Sequence, residues 1–525
     1  MAGPSYDITD PLLRLRVAAS SCFFGEPMYY NRDAADKRPS RAKSRYSGRL
    51  TDAMAAHLHD TLNAIDPQEW RGLPPAALME RAIDEALAKD PEATLAFAAE
   101  LRQVEHIRTT PQVILVRAAH RPEIKGTGLI AKYAPGIVRR ADEPSVGLAY
   151  QLAVFGRKGI PMALRKAWKQ ALERFSPYEL AKYRMASRGV KTVDVVNLTH
   201  PKSESVDLLV KGELTVTDQT WEAIVSKEGS TPEAWGKAID VMGHMALLRN
   251  VRNLLQKGLH PSMFVEKLVA GAEKGKQLPF RYWAAYQAVK GTPGANGPVL
   301  DAIETCMMRS IGNLPRFRGR TMSLVDNSGS AHGAFTSAMG TVAVNEIGNL
   351  TGVLTGMAAD DGYVGVFGNG LETFPVRKHS SVFDQLAHAN RLGKGIGHDT
   401  ENGVWLFWDQ AIRNREHWDQ VFIYSDMQCG HGGLYGQNPR DYKDFKWMGS
   451  QYIDVPKLIA AYRRAVNPNV QVFLVQIAGY QDVIVPEFYD KTYILGGWSD
   501  SILRFAAKVI EITSPGGDAP AKAAQ

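Results

Sequence analysis

The run Ser323-Leu-Val-Asp-Asn-Ser-Gly-Ser330 decides how this chain is read. Met322, Leu324 and Val325 form a short apolar stretch, the end of a buried strand. It runs into one carboxylate, Asp326, and two hydroxyls, Ser328 and Ser330, at alternate positions. A helical stretch follows over about 334–354. Hard divalent cations take oxygen ligands in near-octahedral geometry, and Mg²⁺ keeps several waters beside one or two carboxylates. A strand-to-helix turn that presents one Asp and two Ser supplies such a partial shell. It lies at the carboxyl edge of a parallel sheet, where open α/β sheets bind ligands.

Working outward from this turn, the same alternation continues to the end of the chain. Strand-like runs fall at 321–326, 363–367, 421–425 and 470–477, with helical stretches at 334–354, 381–392, 403–414 and 454–466 between them. Strands that alternate with helices predict a parallel sheet covered on both faces. Two later strand ends then complete the ion shell. Gly397-His-Asp-Thr400 precedes the helix at 403 and offers Thr400, and Val421-Phe-Ile-Tyr-Ser-Asp426 ends on Asp426. Asp326, Ser328, Ser330, Thr400 and Asp426 are therefore the expected ligands of a divalent metal, Mg²⁺ by ligand type, with a sixth position open.

Before Arg320 the rhythm is different, and residues 10–315 read as helix after helix. Asp90 caps a helix that opens on Pro91, Thr231-Pro232 opens another, and Lys257-Gly258 closes a third. Further helices are expected at 51–64, 75–89, 159–175, 261–272 and 298–312. Medium helices joined by short turns predict stacked pairs, as in α-solenoids, with no strict sequence period. The domain division is 1–320, 321–513 and a frayed Pro/Gly/Ala-rich tail at 514–525. A chain of 525 residues exceeds one ordinary core.

The net charge is +7, and it is uneven. Residues 101–200 carry 18 Lys/Arg against 7 Asp/Glu, whereas 321–525 carry 16 against 21. A positive excess so concentrated is the footprint of a polyanion partner. Lys37 to Arg49 packs six basic residues among Ser, Pro and Gly, either a polyanion-gripping arm or a solvated loop, and residues 427–444 read as a Gly-rich polar loop. No apolar run approaches the roughly 18 residues of a membrane span. The opening segment lacks the blocks of a signal peptide, and Cys22, Cys306 and Cys429 lie far apart, so a reducing cytoplasm is expected.

The ordered motifs resemble a known family. The Asp-x-Ser-x-Ser turn is similar to the MIDAS-type metal site of von Willebrand factor A domains. Upstream, Arg14-Leu-Arg-Val and Phe24-Gly-Glu-Pro-Met-Tyr-Tyr30 are followed by Gly159-Ile-Pro-Met-Ala-Leu-Arg-Lys-Ala-Trp168. Next come Lys182-Tyr-Arg184, Leu198-Thr-His-Pro-Lys202, Met245-Ala-Leu-Leu-Arg-Asn250 and Leu278-Pro-Phe-Arg281. This order resembles the Ro autoantigen-type, TROVE-module RNA-binding proteins, and their bacterial Rsr-like members in particular, over about residues 10–510. The resemblance implies a ring of HEAT-like helical repeats closed by a von Willebrand A domain, Rossmann-like with a parallel sheet. It also implies binding of small structured noncoding Y-like RNA on a basic outer face and of single-stranded RNA 3′ ends in the ring cavity. A role in noncoding-RNA quality control and decay, beside a 3′ exoribonuclease, belongs to the same expectation.

The RNA-binding candidates are Arg139, Arg140, Arg157, Lys158, Lys182, Tyr183, Arg184, Arg188, His200 and Lys202. Cations hold phosphates without sequence readout. Tyr183 is either a base-stacking platform or a packing aromatic, and His200 either an RNA contact or a helix-terminal histidine. Thr400 departs from the family pattern, because Asp399 precedes it, and Asp399 and His398 remain alternative ligands. No nucleophile–base pair, phosphate loop or zinc cluster is legible, so a non-enzyme is expected. A metal-dependent protein-binding scaffold and a metal-dependent nuclease are the alternatives.

Overall fold

Short capped segments with apolar stripes dictate the first three-fifths of the chain. The computed structural model describes residues 10–21, 75–105, 107–183, 189–214, 220–275, 277, 279–329, 331–332, 343–398, 402–425, 431–433, 446–447, 452–477, 491–496 and 501–513. Its first helices are α1 (Pro11–Ser21), α2 (Pro75–Lys89), α3 (Pro91–Gln103), α4 (Thr109–His120) and α5 (Leu129–Ile137). They are followed by α6 (Glu143–Val154), α7 (Met162–Arg174), α8 (Pro177–Lys182), α9 (Thr192–Thr199) and α10 (Glu204–Lys211). A second group comprises α11 (Trp221–Glu228), α12 (Pro232–Val241), α13 (His244–Gln256), α14 (Val265–Lys274), α15 (Pro279–Val289) and α16 (Gly297–Ser310). The expected helix at 51–64, the arm at 37–49, the tail at 514–525, Cys22 and Cys429 lie outside the described residues.

The caps are those read from the sequence. Asp90 accepts the Ala93 N–H at 2.9 Å with Pro91 in the first turn. Thr231 accepts from Ala234 at 3.2 Å ahead of Pro232. Each satisfies a backbone donor that the helix start would leave open. α13 ends at Gln256, and Gly258 takes the left-handed conformation (φ +77°) that closes it.

The α/β part contains β1 (Phe317–Asp326), α17 (Val344–Ala358), β2 (Ala359–Phe367), β3 (Leu371–Pro375), α18 (Val382–Gly395), α19 (Asn402–Arg413) and β4 (Gln420–Ser425). Three short strands, β5 (His431–Gly433), β6 (Lys446–Trp447) and β7 (Tyr452–Asp454), form a separate small antiparallel sheet. α20 (Val455–Ala465), β8 (Gln471–Gln476), β9 (Thr492–Gly496) and α21 (Ser501–Thr513) complete it. The main sheet runs β3-β2-β1-β4-β8-β9, parallel throughout except for the antiparallel edge strand β3. Successive residues of a strand face opposite sides, and β1 obeys this. Met322 and Leu324 join the core under α19 and α20, whereas Val325 joins the core under α17 and α18.

β1 starts at Phe317, earlier than the expected 321. The strand passes Gly319 at φ +82°, where a Cβ would lie 2.1 Å from the Asp419 carboxylate. That irregular residue hides the strand start from a pattern based on alternation.

The apolar cores divide the helices into two halves. One unites Leu15 through Val206 around Trp168, and the other unites Trp235 through Met307 with one face of the sheet. The chain closes on itself through α21. Ile502, Leu503 and Val509 belong to the sheet-side core, while Phe505 enters the core of the first helical half. α1 packs against both β9 and α21, and Arg504 donates to the Val104 carbonyl at 2.8 Å.

Candidate functional sites at the sheet edge and on the basic helical face

Asp326 ends β1 between β2 and β4, so the sheet itself aims it at the carboxyl edge. The side chain is fully buried. One oxygen accepts the Ser328 N–H at 2.8 Å, and the other accepts the Ser425 hydroxyl at 2.6 Å. Burial pushes the carboxyl up, against the pull of Ser425, Ser328 and the nearby His332. No ion pair compensates it among the described residues. A buried carboxylate served only by neutral donors fits an added cation. The residues present thus suit a hard divalent ion as far as they are described. Ser330, Thr400 and Asp426 lie outside the described residues.

The turn is held from below by an amide ladder that sequence reasoning missed. Asn327 donates to Asn349 at 2.9 Å, and Asn349 donates to Asn390 at 2.7 Å. Gly393 of α18 approaches so closely that a Cβ there would meet the Asn327 amide oxygen at 2.1 Å. Gly329 N–H donates to the His398 carbonyl at 2.8 Å, which joins the Asp326 turn to the loop leading toward Thr400. His398 and His332 have ring centroids 4.3 Å apart. Ser425 was also missed; its place just before Asp426 at a strand end was the available signal.

On the helical part, the structure brings together some of the basic candidates. The α5–α6 link carries Arg139 and Arg140, whose N–H groups both donate to Glu143, at 2.6 and 3.0 Å. The Arg140 guanidinium is paired with Asp142 and lies 4.8 Å from the Tyr183 ring centroid. Lys182 donates to the Tyr178 hydroxyl at 3.1 Å and lies 5.9 Å from the Tyr183 centroid. Tyr183 is half-buried against the first helical core and carries a cation over its ring from two sides of the chain, so its geometry is that of a packing aromatic with a charged rim.

His200 follows α9 in the left-handed conformation (φ 49°), exposed, which is the helix-terminal position. Lys202 is exposed, and its N–H donates to Glu173 at 2.8 Å. Arg157 and Lys158 are exposed at the far end of α6, about 18 Å by helical rise from Arg139 and Arg140. Arg184 and Arg188 lie outside the described residues. Arg174, which the sequence presents as an ordinary helix-end charge, sits at this group instead, donating to the Val138 carbonyl at 2.9 Å.

The described residues form stacked helices whose circuit is closed by a mostly parallel α/β unit. The comparisons make this architecture more particular. The TROVE domain model matches residues 213–292. The structure is similar to the crystal structure of Deinococcus radiodurans RO (RSR) protein, with a TM-score of 0.61 and 16% sequence identity over 81% of this chain and 93% of that chain. No curated protein matches by sequence. A TROVE-domain match and a fold similar to that of the Deinococcus Ro protein agree with the order of motifs read from the sequence. Among the described residues no helix is long and apolar enough to cross a membrane.

Proposed function

We propose that this chain is a non-catalytic RNA-binding protein of the Ro type. It holds small structured, Y-like RNA on the face built by Arg139, Lys182, His200 and Lys202, and takes single-stranded 3′ ends into the space the helical circuit encloses. The observation that carries this reading is that Arg140 and Lys182 approach the Tyr183 ring from two separate links of the chain, within the most basic hundred residues. Cations brought together in this way bind phosphates, and unpaired RNA is what proteins read, since the A-form major groove hides its bases. The same reading gives the protein a cytoplasmic place beside a 3′ exoribonuclease.

The α/β part supports a second role within this function. Asp326, Ser328, Ser330, Thr400 and Asp426 would hold Mg²⁺, and the ion would supply an open coordination position for a carboxylate of a docked protein. Asp326 contributes the buried negative charge, and the Asn327–Asn349–Asn390 ladder keeps its turn in place.

Filter binding of a small structured RNA at two salt concentrations tests the RNA reading. Lys182→Glu with Lys202→Glu is expected to weaken binding at least tenfold and to flatten the salt slope by about 0.7 to 0.9 per lost phosphate contact. Unchanged affinity at moderate salt, in a variant that melts as the parent does, would remove this face from the reading.

A further inference from the structure

A cavity of about 350 Å³ opens between α5 and α7, lined by Ala134, Pro135, Ala167, Gln170, Glu173 and Arg174 among others. Its walls are small and apolar, and its polar groups gather on one side. Arg174 is anchored there by its bond to the Val138 carbonyl. The next residue, Arg139, donates to the Gln103 side-chain oxygen at 3.1 Å. Neither guanidinium has a carboxylate partner among the described residues. Partial burial, and then the like charge of Arg139, hold the Arg174 guanidinium below its ordinary range. Two guanidiniums that act on one another, neither paired with a carboxylate among the described residues, leave a field that an arriving anion relieves.

One carboxylate does line the cavity. Glu173 accepts the Lys202 N–H at 2.8 Å and lies 3.9 Å from the Lys169 ammonium, so its charge is engaged on the side of α10. Guanidinium forks match phosphate oxygens in pairs. Lys202 borders the cavity through its bond to Glu173.

We propose that Arg139 and Arg174 seat one backbone phosphate of bound RNA at the mouth of this cavity. The inference rests on the RNA-binding reading and names the contact that anchors it. The phosphodiester lies across the two guanidiniums, and its nucleotide enters the hollow over Ala134, Pro135 and Ala167.

The test uses the full chain and the same structured RNA. Arg139→Gln with Arg174→Gln is expected to cost about fivefold in affinity near physiological salt and to lower the salt slope by about 0.7 to 0.9, one phosphate contact. Gln170→Glu places a carboxylate at the exposed mouth without touching either arginine, and it is expected to weaken binding by a similar factor with an unchanged melting temperature. If both variants bind like the parent while Lys182→Glu with Lys202→Glu binds poorly, the seat is overturned and the RNA reading stands. If all three bind like the parent, both fall. If the arginine pair is needed for inorganic phosphate, followed by ³¹P NMR, but not for RNA, the seat holds a free anion and the proposal is overturned.

Discussion

Asp326 concentrates the chemistry of the α/β part in one side chain. Its position at the end of a buried strand was legible because the apolar run of Met322, Leu324 and Val325 stops on it. The hydroxyl of Ser425, which holds the other carboxylate oxygen, was passed over, because its only mark in the sequence is its place just before Asp426 at a strand end. Arg174 was hidden for a similar reason, since a last-turn arginine ordinarily just complements the helix dipole. Arg157 and Lys158 are separated from Arg139 by the length of α6, a spacing that charge counting along the sequence does not convey. At this scale we expect Asp326→Asn to abolish the Mg²⁺-dependent rise in melting temperature while leaving RNA affinity within twofold. Differential scanning fluorimetry with and without Mg²⁺, paired with filter binding, reads both. A Mg²⁺ response that survives would place the ion elsewhere, and a parallel loss of RNA binding would contradict the division of labour between the two parts.

Helix pairs are the unit in which the second helical half is built. α13 and α14 meet where His244 rests against Gly271 and Gly275. A Cβ on Gly271 would lie 2.7 Å from the imidazole nitrogen Nδ1 and 3.0 Å from the His244 Cβ, and one on Gly275 would lie 2.5 Å from the ring. The ring cannot withdraw, because it also bonds the Tyr282 hydroxyl of α15 at 2.6 Å. Gly271→Ala gains roughly 1 kcal/mol of helix propensity, yet overpacking costs about 1–3 kcal/mol. The expected result is a net loss of up to about 2 kcal/mol in urea unfolding, whereas a gain in stability would show that the two helices part easily. The helices themselves were legible through their caps, and the strands β1, β2, β4 and β8 through their apolar runs. β3 and β9 were not. β3 is a half-exposed edge strand ending on Pro375, and β9 is five residues long, so neither offers the continuous apolar run by which the other strands are read. Likewise, the sequence marks no contact between α13 and α14, because a glycine's use as a seat depends on the partner helix.

The whole molecule is tied shut where α21 meets α1 and α3. At this seam Glu105 is buried, and one of its carboxylate oxygens has no hydrogen-bond partner. Burial raises its carboxyl from the usual 4.5 to about 7, against the pull of Arg504, Arg16 and Lys508 and with help from Glu100. Below pH 4.5 the folded and unfolded chains both hold this proton. As pH climbs from 4.5 to 7 only the unfolded chain releases it, so stability declines over that window and the loss is complete above 7. The loss is on the order of 3 kcal/mol. Melting temperature followed from pH 5 to 8 is therefore expected to fall more steeply in the parent than in Glu105→Gln, and amides of α21 are expected to exchange faster at pH 8 than intrinsic rates explain. Parallel pH profiles for parent and variant would refute the role of Glu105. The closure was the part of the fold least legible in sequence. Phe505 reads as an ordinary apolar position on its own helix, yet it completes a core whose other members end near residue 206. The seam also sets a schedule for synthesis. Some four hundred residues separate α3 from Phe505, so during synthesis the first helical half waits with an open apolar slot until α21 emerges and seals it over α1.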